Sequence, residues 1–340
     1  MIDSIQQSVL QLLPARKKTG QNGWISFNAP CCVHNGESAD TRARGGLKTD
    51  NGKVSYHCFN CQFKASYQPG RHLTYKFRKF LSWLGADDNT VRRLVIDAVR
   101  LKDLVAPEAI AEPEQEIRFE ARTLPAEARN IVDLASFYAT GDYNHVPPEL
   151  LATIEYVHRR QIDINRYKFY WTPEPAYNLY RRIVVPFYYK QQVIGYTSRA
   201  VVDSIKPKYW SNHPADFVFN LDAQKSSWQF VVVCEGPFDA MSVDGVAVCG
   251  AEISDQQAEL IDRLQREVVV VPDRDLTGRR LVDRAIELGW SVSFPVWLET
   301  CKDINEAVVK YGKLFVLKSI IDTRETNRLK IELKKKRRYA

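Results

Sequence analysis

The chain has 340 residues, room for two or three domains, and its 45% apolar and 26% charged residues exclude wholesale disorder. Its formal net charge of +7 is unevenly placed: residues 1–128 carry +4, residues 129–326 carry −3 and residues 327–340 carry +6. No apolar run approaches the roughly 18–20 residues that span a bilayer, and the first residues lack a basic stretch followed by an apolar one. Seven cysteines, odd in number and clustered, suit metal ligation in a reducing compartment better than a disulfide framework. The expectation is a soluble, cytoplasmic protein with no membrane partner.

In chain order, Ile2, Ile5, Val9, Leu12 and Leu13 lie at helical spacing and stop at Pro14. Trp24, Ile25 and Phe27 read as a short strand leading into Cys31-Cys32-Val33-His34, and residues 53–58 read as a strand entering Cys58-Phe59-Asn60-Cys61. Residues 72–104 alternate basic and apolar residues at helical spacing. Residues 107–128 hold six glutamates, two arginines and three prolines, which is the composition of a linker. From residue 229 strands alternate with helices: strands over 230–234, 246–248, 268–271 and 292–296, and helices after Pro237, after Ser254, over 278–289 and after Asp303. Such alternation predicts βαβ units around a mostly parallel sheet. The fold class expected is a multidomain mixture of α+β and α/β parts. Its boundaries are 1–105 (zinc ribbon with flanking helices), 106–130 (acidic linker), 131–228 (basic subdomain), 229–322 (α/β subdomain) and 323–340 (basic tail).

Cys31-x-x-His34 and Cys58-x-x-Cys61, separated by 23 residues, have the spacing of four ligands on two tight turns around one tetrahedral Zn²⁺. A site filled by four protein ligands is structural. Cys32 and His57 are spare donors one residue out of register. Arg42, Arg44, Lys48, Lys53 and Lys64 mix here with Trp24, Phe27, Tyr56, Phe59 and Phe63. Phosphate-meeting cations beside base-stacking aromatics equip a reader of single strands, although the aromatics serve equally as a small core.

Glu235 and Asp239 flank Gly236-Pro237-Phe238 directly after one strand, and Asp273 and Asp275 follow another. In a parallel sheet such strand-end loops meet along one edge, and gathered carboxylates favour Mg²⁺ or Mn²⁺. Helix capping accounts for the same acids on spacing alone.

The run from Val231 to Ala240, with Pro272-Asp273-Arg274-Asp275, resembles the Toprim domain of primases and topoisomerases, and Lys302-Asp303-Ile304-Asn305-Glu306 resembles the Lys-Asp segment that follows in primases. Upstream, Arg181-Arg182-Ile183-Val184-Val185-Pro186-Phe187, the strand ending at Arg199 and Lys206-Pro207-Lys208-Tyr209 resemble the basic segment of bacterial-type primases. The order of parts and their length are most similar to the primases of T-even-type tailed phages. The resemblance implies a nucleotidyltransferase, a DNA-directed RNA polymerase making short RNA primers on single-stranded DNA for lagging-strand replication in the host cytoplasm. It implies Glu235 as metal ligand or general base, Asp273 and Asp275 as ligands of two or more Mg²⁺ or Mn²⁺, and Asp239 as a further acid. Arg182, Arg199, Lys206 and Lys208 are implied as contacts of nucleotide phosphates or template. For Lys302 and Asp303 a ligand role and helix capping stand side by side. Implied partners are ribonucleoside triphosphates, the single-stranded template, a replicative helicase on a separate chain, since no Gly-x-x-x-x-Gly-Lys-Ser/Thr loop occurs, and single-strand-binding protein. A non-catalytic recombination mediator joining a zinc site to a Toprim fold is the rival reading; the segment from Arg182 to Lys208 separates the two.

Overall fold

In the computed structural model the chain divides between residues 116 and 117 into two units. Described are residues 4–20, 22–71, 73–102, 117–141, 146–173, 179–250, 252–264, 266–298 and 301–339. The 106–116 part of the expected linker therefore lies outside the described residues, as do Ile2, His72 and residues 103–104.

The first unit opens with α1 (Ser4–Leu12) and continues as an antiparallel meander of β1 (Lys17–Thr19), β2 (Ile25–Phe27), β3 (Gly45–Asp50), β4 (Lys53–Cys58) and β5 (Lys64–Tyr67), adjacent in that order. Asn51 and Gly52 join β3 to β4 with φ of +46° and +83°, a two-residue hairpin turn that glycine adopts without strain. The exposed β1 has no apolar alternation and left no mark in the sequence pattern. The helical stretch that follows is two elements, α2 (Tyr75–Trp83) and α3 (Asp88–Lys102), because Gly85 takes a φ of +97° between them. Thr74 caps α2 by accepting from the Phe77 backbone N–H. Ile5 and Val9 from α1 and Leu13 just after it join Phe27, Leu47, Val54, Tyr67, Phe77, Phe80 and Leu94 in one core.

The second unit carries two sheets. The first is antiparallel, in the order β10-β9-β8-β7-β6. Its elements in the chain are β6 (Arg129–Asn130), α4 (Ile131–Thr140), α5 (Pro148–Arg159), β7 (Tyr170–Trp171), β8 (Arg182–Tyr189), β9 (Gln192–Ala200) and β10 (Tyr209–Asn212). β10 returns so close to β9 that a Cβ on Gly195 would lie 2.6 Å from the His213 Cα.

The second sheet runs β12-β11-β13-β14-β15. Its elements are β11 (Phe230–Cys234), α6 (Pro237–Val243), β12 (Val246–Ala247), α7 (Asp255–Asp262), β13 (Glu267–Val270), α8 (Leu276–Leu288), β14 (Ser291–Ser293), α9 (Ile304–Tyr311), α10 (Lys313–Thr323), β15 (Arg324–Glu325) and α11 (Arg328–Arg338). Pairing is parallel except at β15, so the mostly parallel sheet expected from the alternation is present. The capping box at Ser254 and Gln257 forms as read, and Gly289 ends α8 with a φ of +67°. Asp275 caps α8, which starts at Leu276, two residues before its expected start. The basic residues after 327 form a packed helix, in which Ile331 and Lys335 are buried.

Candidate active site and metal centre

In the first unit the sulfurs of Cys31, Cys32, Cys58 and Cys61 lie within 4.8 Å of one another, with 3.4 Å between Cys31 and Cys61 and 3.5 Å between Cys32 and Cys58. Four sulfurs around a tetrahedral ion at about 2.3 Å stand roughly 3.8 Å apart, so the donor set fits a soft or borderline divalent ion. β4 delivers Cys58, and the turn closed by Gln62 N–H on the Cys58 carbonyl delivers Cys61. Second contacts orient the sulfurs: the Asn60 amide donates to Cys32 Sγ at 3.5 Å, and the Tyr56 hydroxyl lies 3.2 Å from Cys31 Sγ. Burial pushes the Cys31 thiol up, the response of a crowded sulfur to loss of solvent.

The residue grouped with Cys31, Cys58 and Cys61 is Cys32, whereas spacing sets His34 in the fourth place. Residues Cys32–Asn35 form a tight 3-10 turn that buries Cys32 against Cys58 and turns position 34 outward. The exposed His34 ring stacks on Trp83 at 4.8 Å. His57, on β4, is paired with Lys64 of β5, one residue out of step with Tyr56 and Cys58, and its ring contacts Gln62 and Phe59. Of the neighbouring aromatics, Phe27 and Tyr56 belong to the core, whereas Phe59 is 59% exposed against the edge of Trp24. Arg44 is engaged with Asp40 at 2.9 Å and with Asn60.

In the second unit, β11 and β13 are parallel neighbours with Val233 opposite Val270. That register sets Glu235 beside the residues that follow β13, and the Asp273 backbone N–H donates to its carboxylate. The Thr277 hydroxyl lies 3.3 Å from Glu235 Oε2 and also contacts Asp275. Glu235 Oε1 is buried with no hydrogen-bond partner among the described residues. Asp239 enters from the first turn of α6 and accepts the Asn305 N–H at 2.9 Å. Gly236 permits that approach, since a Cβ there would lie 3.0 Å from Asp239 Oδ2.

Burial and then the Asp275 charge raise Glu235 to about 7; burial and then Asp303 raise Asp239 to about 7. Asp273 is pushed up to about 9 by burial and by Asp239, Glu235, Asp303 and Asp275 around it. Carboxylates this crowded ionise together only when cations neutralise them, so the set fits hard divalent ions. Asp303 is also raised by burial and caps α9 through the Glu306 N–H at 2.7 Å.

The expected cations divide. Arg199 is 5% exposed, stacks over Tyr209 at 4.5 Å, and its Nε has no hydrogen-bond partner among the described residues. Lys208 stays at the surface; partial burial, then Arg199 and Arg160, lower its ammonium, while Asp303 and Asp239 raise it. Lys206 is exposed. Arg182 is turned inward: 2% exposed, it donates to the carbonyls of Ser198 and Lys208 at 3.3 Å each and to that of Pro207. It supports the segment that carries Lys206 and Lys208.

Arg160, at the end of α5, was not singled out in the sequence. Its guanidinium stacks on Tyr156 and Phe238 at 5.3 and 5.8 Å and donates to Asn305 Oδ1 at 2.8 Å, within the field of Asp303 and Asp239. An Arg doublet after an aromatic helix carries no motif, so nothing marked it. Asn305 lay inside the quoted Lys302–Glu306 segment without a role.

The chain is 29% identical over 153 residues to a DNA primase of Aquifex aeolicus, covering 39% of this chain and 30% of that one. It is 29% identical over 158 residues to a DNA primase of Clostridium acetobutylicum, covering 41% and 26%. It thus spans under a third of the length of these curated relatives. Among solved structures, the zinc-binding and RNA polymerase domains of the Aquifex aeolicus primase align with a TM-score of 0.44 at 17% identity, over 98% of this chain and 88% of that one. The RNA polymerase domain of the Mycobacterium tuberculosis primase DnaG aligns with a TM-score of 0.47 at 18% identity, over 59% and 81%. Residues 232–308, which carry Glu235, Asp239, Asp273, Asp275 and Asp303, match the family described as Toprim-like.

Proposed function

We propose that the chain is a DNA primase, a nucleotidyltransferase that builds short RNA primers on single-stranded DNA from ribonucleoside triphosphates. The observation that carries this reading is the convergence of Glu235 and Asp273, at the ends of β11 and β13, with Asp239 from the first turn of α6, the Glu235 Oε1 acceptor having no partner among the described residues. The Toprim-like match over the same residues and the two relatives named DNA primase support it. The sites would take one structural Zn²⁺ at Cys31, Cys32, Cys58 and Cys61, and Mg²⁺ or Mn²⁺ at Glu235, Asp273 and Asp275.

Bound divalent ions would neutralise the triphosphate and lower the barrier to attack by a 3′-hydroxyl on the α-phosphate, with pyrophosphate leaving. The chain's own residues prepare that step. Glu235, raised to about 7 by burial and the Asp275 charge, would serve either as a ligand of those ions or as acceptor of the proton of the attacking hydroxyl. Arg160, Arg199 and Lys208 stand beside the acids as counter-charges for phosphates, and Arg182 fixes the backbone of the Lys208 segment. In the first unit, Phe59 beside Trp24 offers a face on which bases of the template stack. By the resemblance of its motifs we group the chain with bacterial-type primases, T-even-type phage members among them, acting in the cytoplasm with a helicase and single-strand-binding protein.

The test is extension of single-stranded DNA templates with labelled ribonucleotides, in Mg²⁺ and with the helicase present. Short RNA from the parent and none from Glu235→Gln is the expected outcome. No RNA from a folded, metal-loaded parent overturns the reading.

A further inference from the structure

The helix α11 reaches the acidic loop from outside the matched Toprim-like segment. Asn327 caps it through the Lys330 N–H, Ile331 is 2% exposed, and Lys335 Nζ ties it to α8 at Asp283 (2.5 Å) while also pairing with Glu332 (2.6 Å). At its far end Arg338 Nη2 donates to the Pro272 carbonyl at 3.3 Å, and the Tyr339 hydroxyl donates to the Asp273 carbonyl at 2.8 Å. The Arg338 guanidinium also lies over Phe294, 5.7 Å from the ring centre. The start of α8 is packed into the same point: a Cβ on Gly278 would lie 2.8 Å from the Tyr339 hydroxyl oxygen. Arg338 and Tyr339 line an open depression with Arg274, Asp275, Leu276 and Thr277.

We propose that Arg338 and Tyr339 are positioning residues that clamp the Pro272–Asp273 main chain and so preset the Asp273 and Asp275 carboxylates for divalent cations. The inference rests on reading those carboxylates as metal ligands. Five carboxylates share the site, and like charges crowded there would push the loop after β13 outward. Two donors on consecutive carbonyls resist that push at the residue that bears the ligand. Bound cations exert the same hold from the other side. The clamp therefore matters most at low metal concentration and least at saturation, a dependence that simple packing does not produce.

The experiment measures Mn²⁺ binding to the full chain by calorimetry, with primer synthesis against Mg²⁺ concentration alongside. Tyr339→Phe removes one oxygen and keeps the ring. Its Mn²⁺ affinity falls about five-fold, the factor expected for one ordinary hydrogen bond. Its Mg²⁺ requirement rises by the same factor, while its rate at saturating Mg²⁺ and its melting temperature stay near the parent's. Arg338→Ala weakens Mn²⁺ binding similarly, and Arg338→Lys, which keeps a donor cation, recovers most of it. Unchanged Mn²⁺ affinity in folded Tyr339→Phe overturns the clamp. If Tyr339→Phe weakens Mn²⁺ binding but the parent makes no RNA, the clamp stands and the primase reading falls.

Discussion

Arg160 and Asn305, 145 positions apart, bind each other twice: the guanidinium donates to Asn305 Oδ1 at 2.8 Å, and the Asn305 amide donates back to the Arg160 carbonyl at 2.9 Å. The same Asn305 donates its backbone N–H to Asp239 and its side chain to Ser242. One side chain thus joins the end of α5 to the helix that bears Asp239, and fixes a cation beside an acid.

Replacing Asn305 by Ala leaves the Arg160 donor and carbonyl and the Ser242 hydroxyl short of partners in a buried position. A loss of about 2–3 kcal/mol of stability is expected, because stranded buried polar groups keep their desolvation cost. Primer synthesis should fall further than stability explains, since Arg160 loses its orientation. Chemical denaturation and initial rates of RNA synthesis on the same preparation measure both. A variant as stable and active as the parent contradicts this account.

The acidic site makes a pH prediction with a definite sign. Glu235 and Asp239 sit at about 7 and Asp273 at about 9, all above ordinary carboxylate values. Between ordinary carboxylate values and these raised ones, the folded state holds more protons than the unfolded state, so stability falls as pH rises. In a divalent-free buffer the melting temperature is expected to drop by ~5 °C or more between pH 5 and pH 8. Excess Mg²⁺ or Mn²⁺ should remove the slope, and Asp273→Asn should flatten it without metal. A melting temperature independent of pH in chelator sinks this reading.

Much of the second unit was legible because its signals are local. The apolar runs of β11 and β13, the capping box at Ser254 and the acids after the two strands all follow from residues within a few positions of one another. Parallel pairing then brings Glu235 and Asp273 together without further information. What stayed hidden is set by packing between distant segments. Arg160 meets the site through an asparagine 145 residues away, and Tyr339 reaches Asp273 across 66. The inward turn of Arg182 was hidden as well, because charge is visible in sequence whereas the direction of a side chain from a doubly covered strand is not.

Arg182 and Lys208 should separate on substitution, although both lie in the basic segment. Arg182→Ala strands the carbonyls of Ser198, Pro207 and Lys208 inside the fold, and a loss of about 3 kcal/mol or more is expected. Lys208→Ala removes a surface cation, so stability should move by no more than about 0.5 kcal/mol. Its KM for ribonucleoside triphosphates should rise roughly ten-fold, as expected when a charge-assisted phosphate contact is lost. Thermal melts and steady-state kinetics distinguish the two. Equal loss of stability in both variants argues against the division.

The metal centre gives the sharpest choice, because spacing and geometry name different fourth donors. Cys31-x-x-His34 offers the regular two-residue gap, yet the turn after Cys31 buries the Cys32 sulfur 3.5 Å from Cys58 and leaves His34 stacked on Trp83. A four-sulfur site binds its ion through thiolates, which a buried set forms only with the metal's charge present. Cys32→Ser should therefore drop the zinc content from one per chain towards zero and abolish the melting transition of the first unit. His34→Ala should keep the zinc and cost about 1 kcal/mol or less, the worth of one exposed ring stack. Metal analysis by mass spectrometry, with melting curves before and after chelation, decides between them. Zinc retained in Cys32→Ser and lost in His34→Ala would restore the histidine to the ligand set.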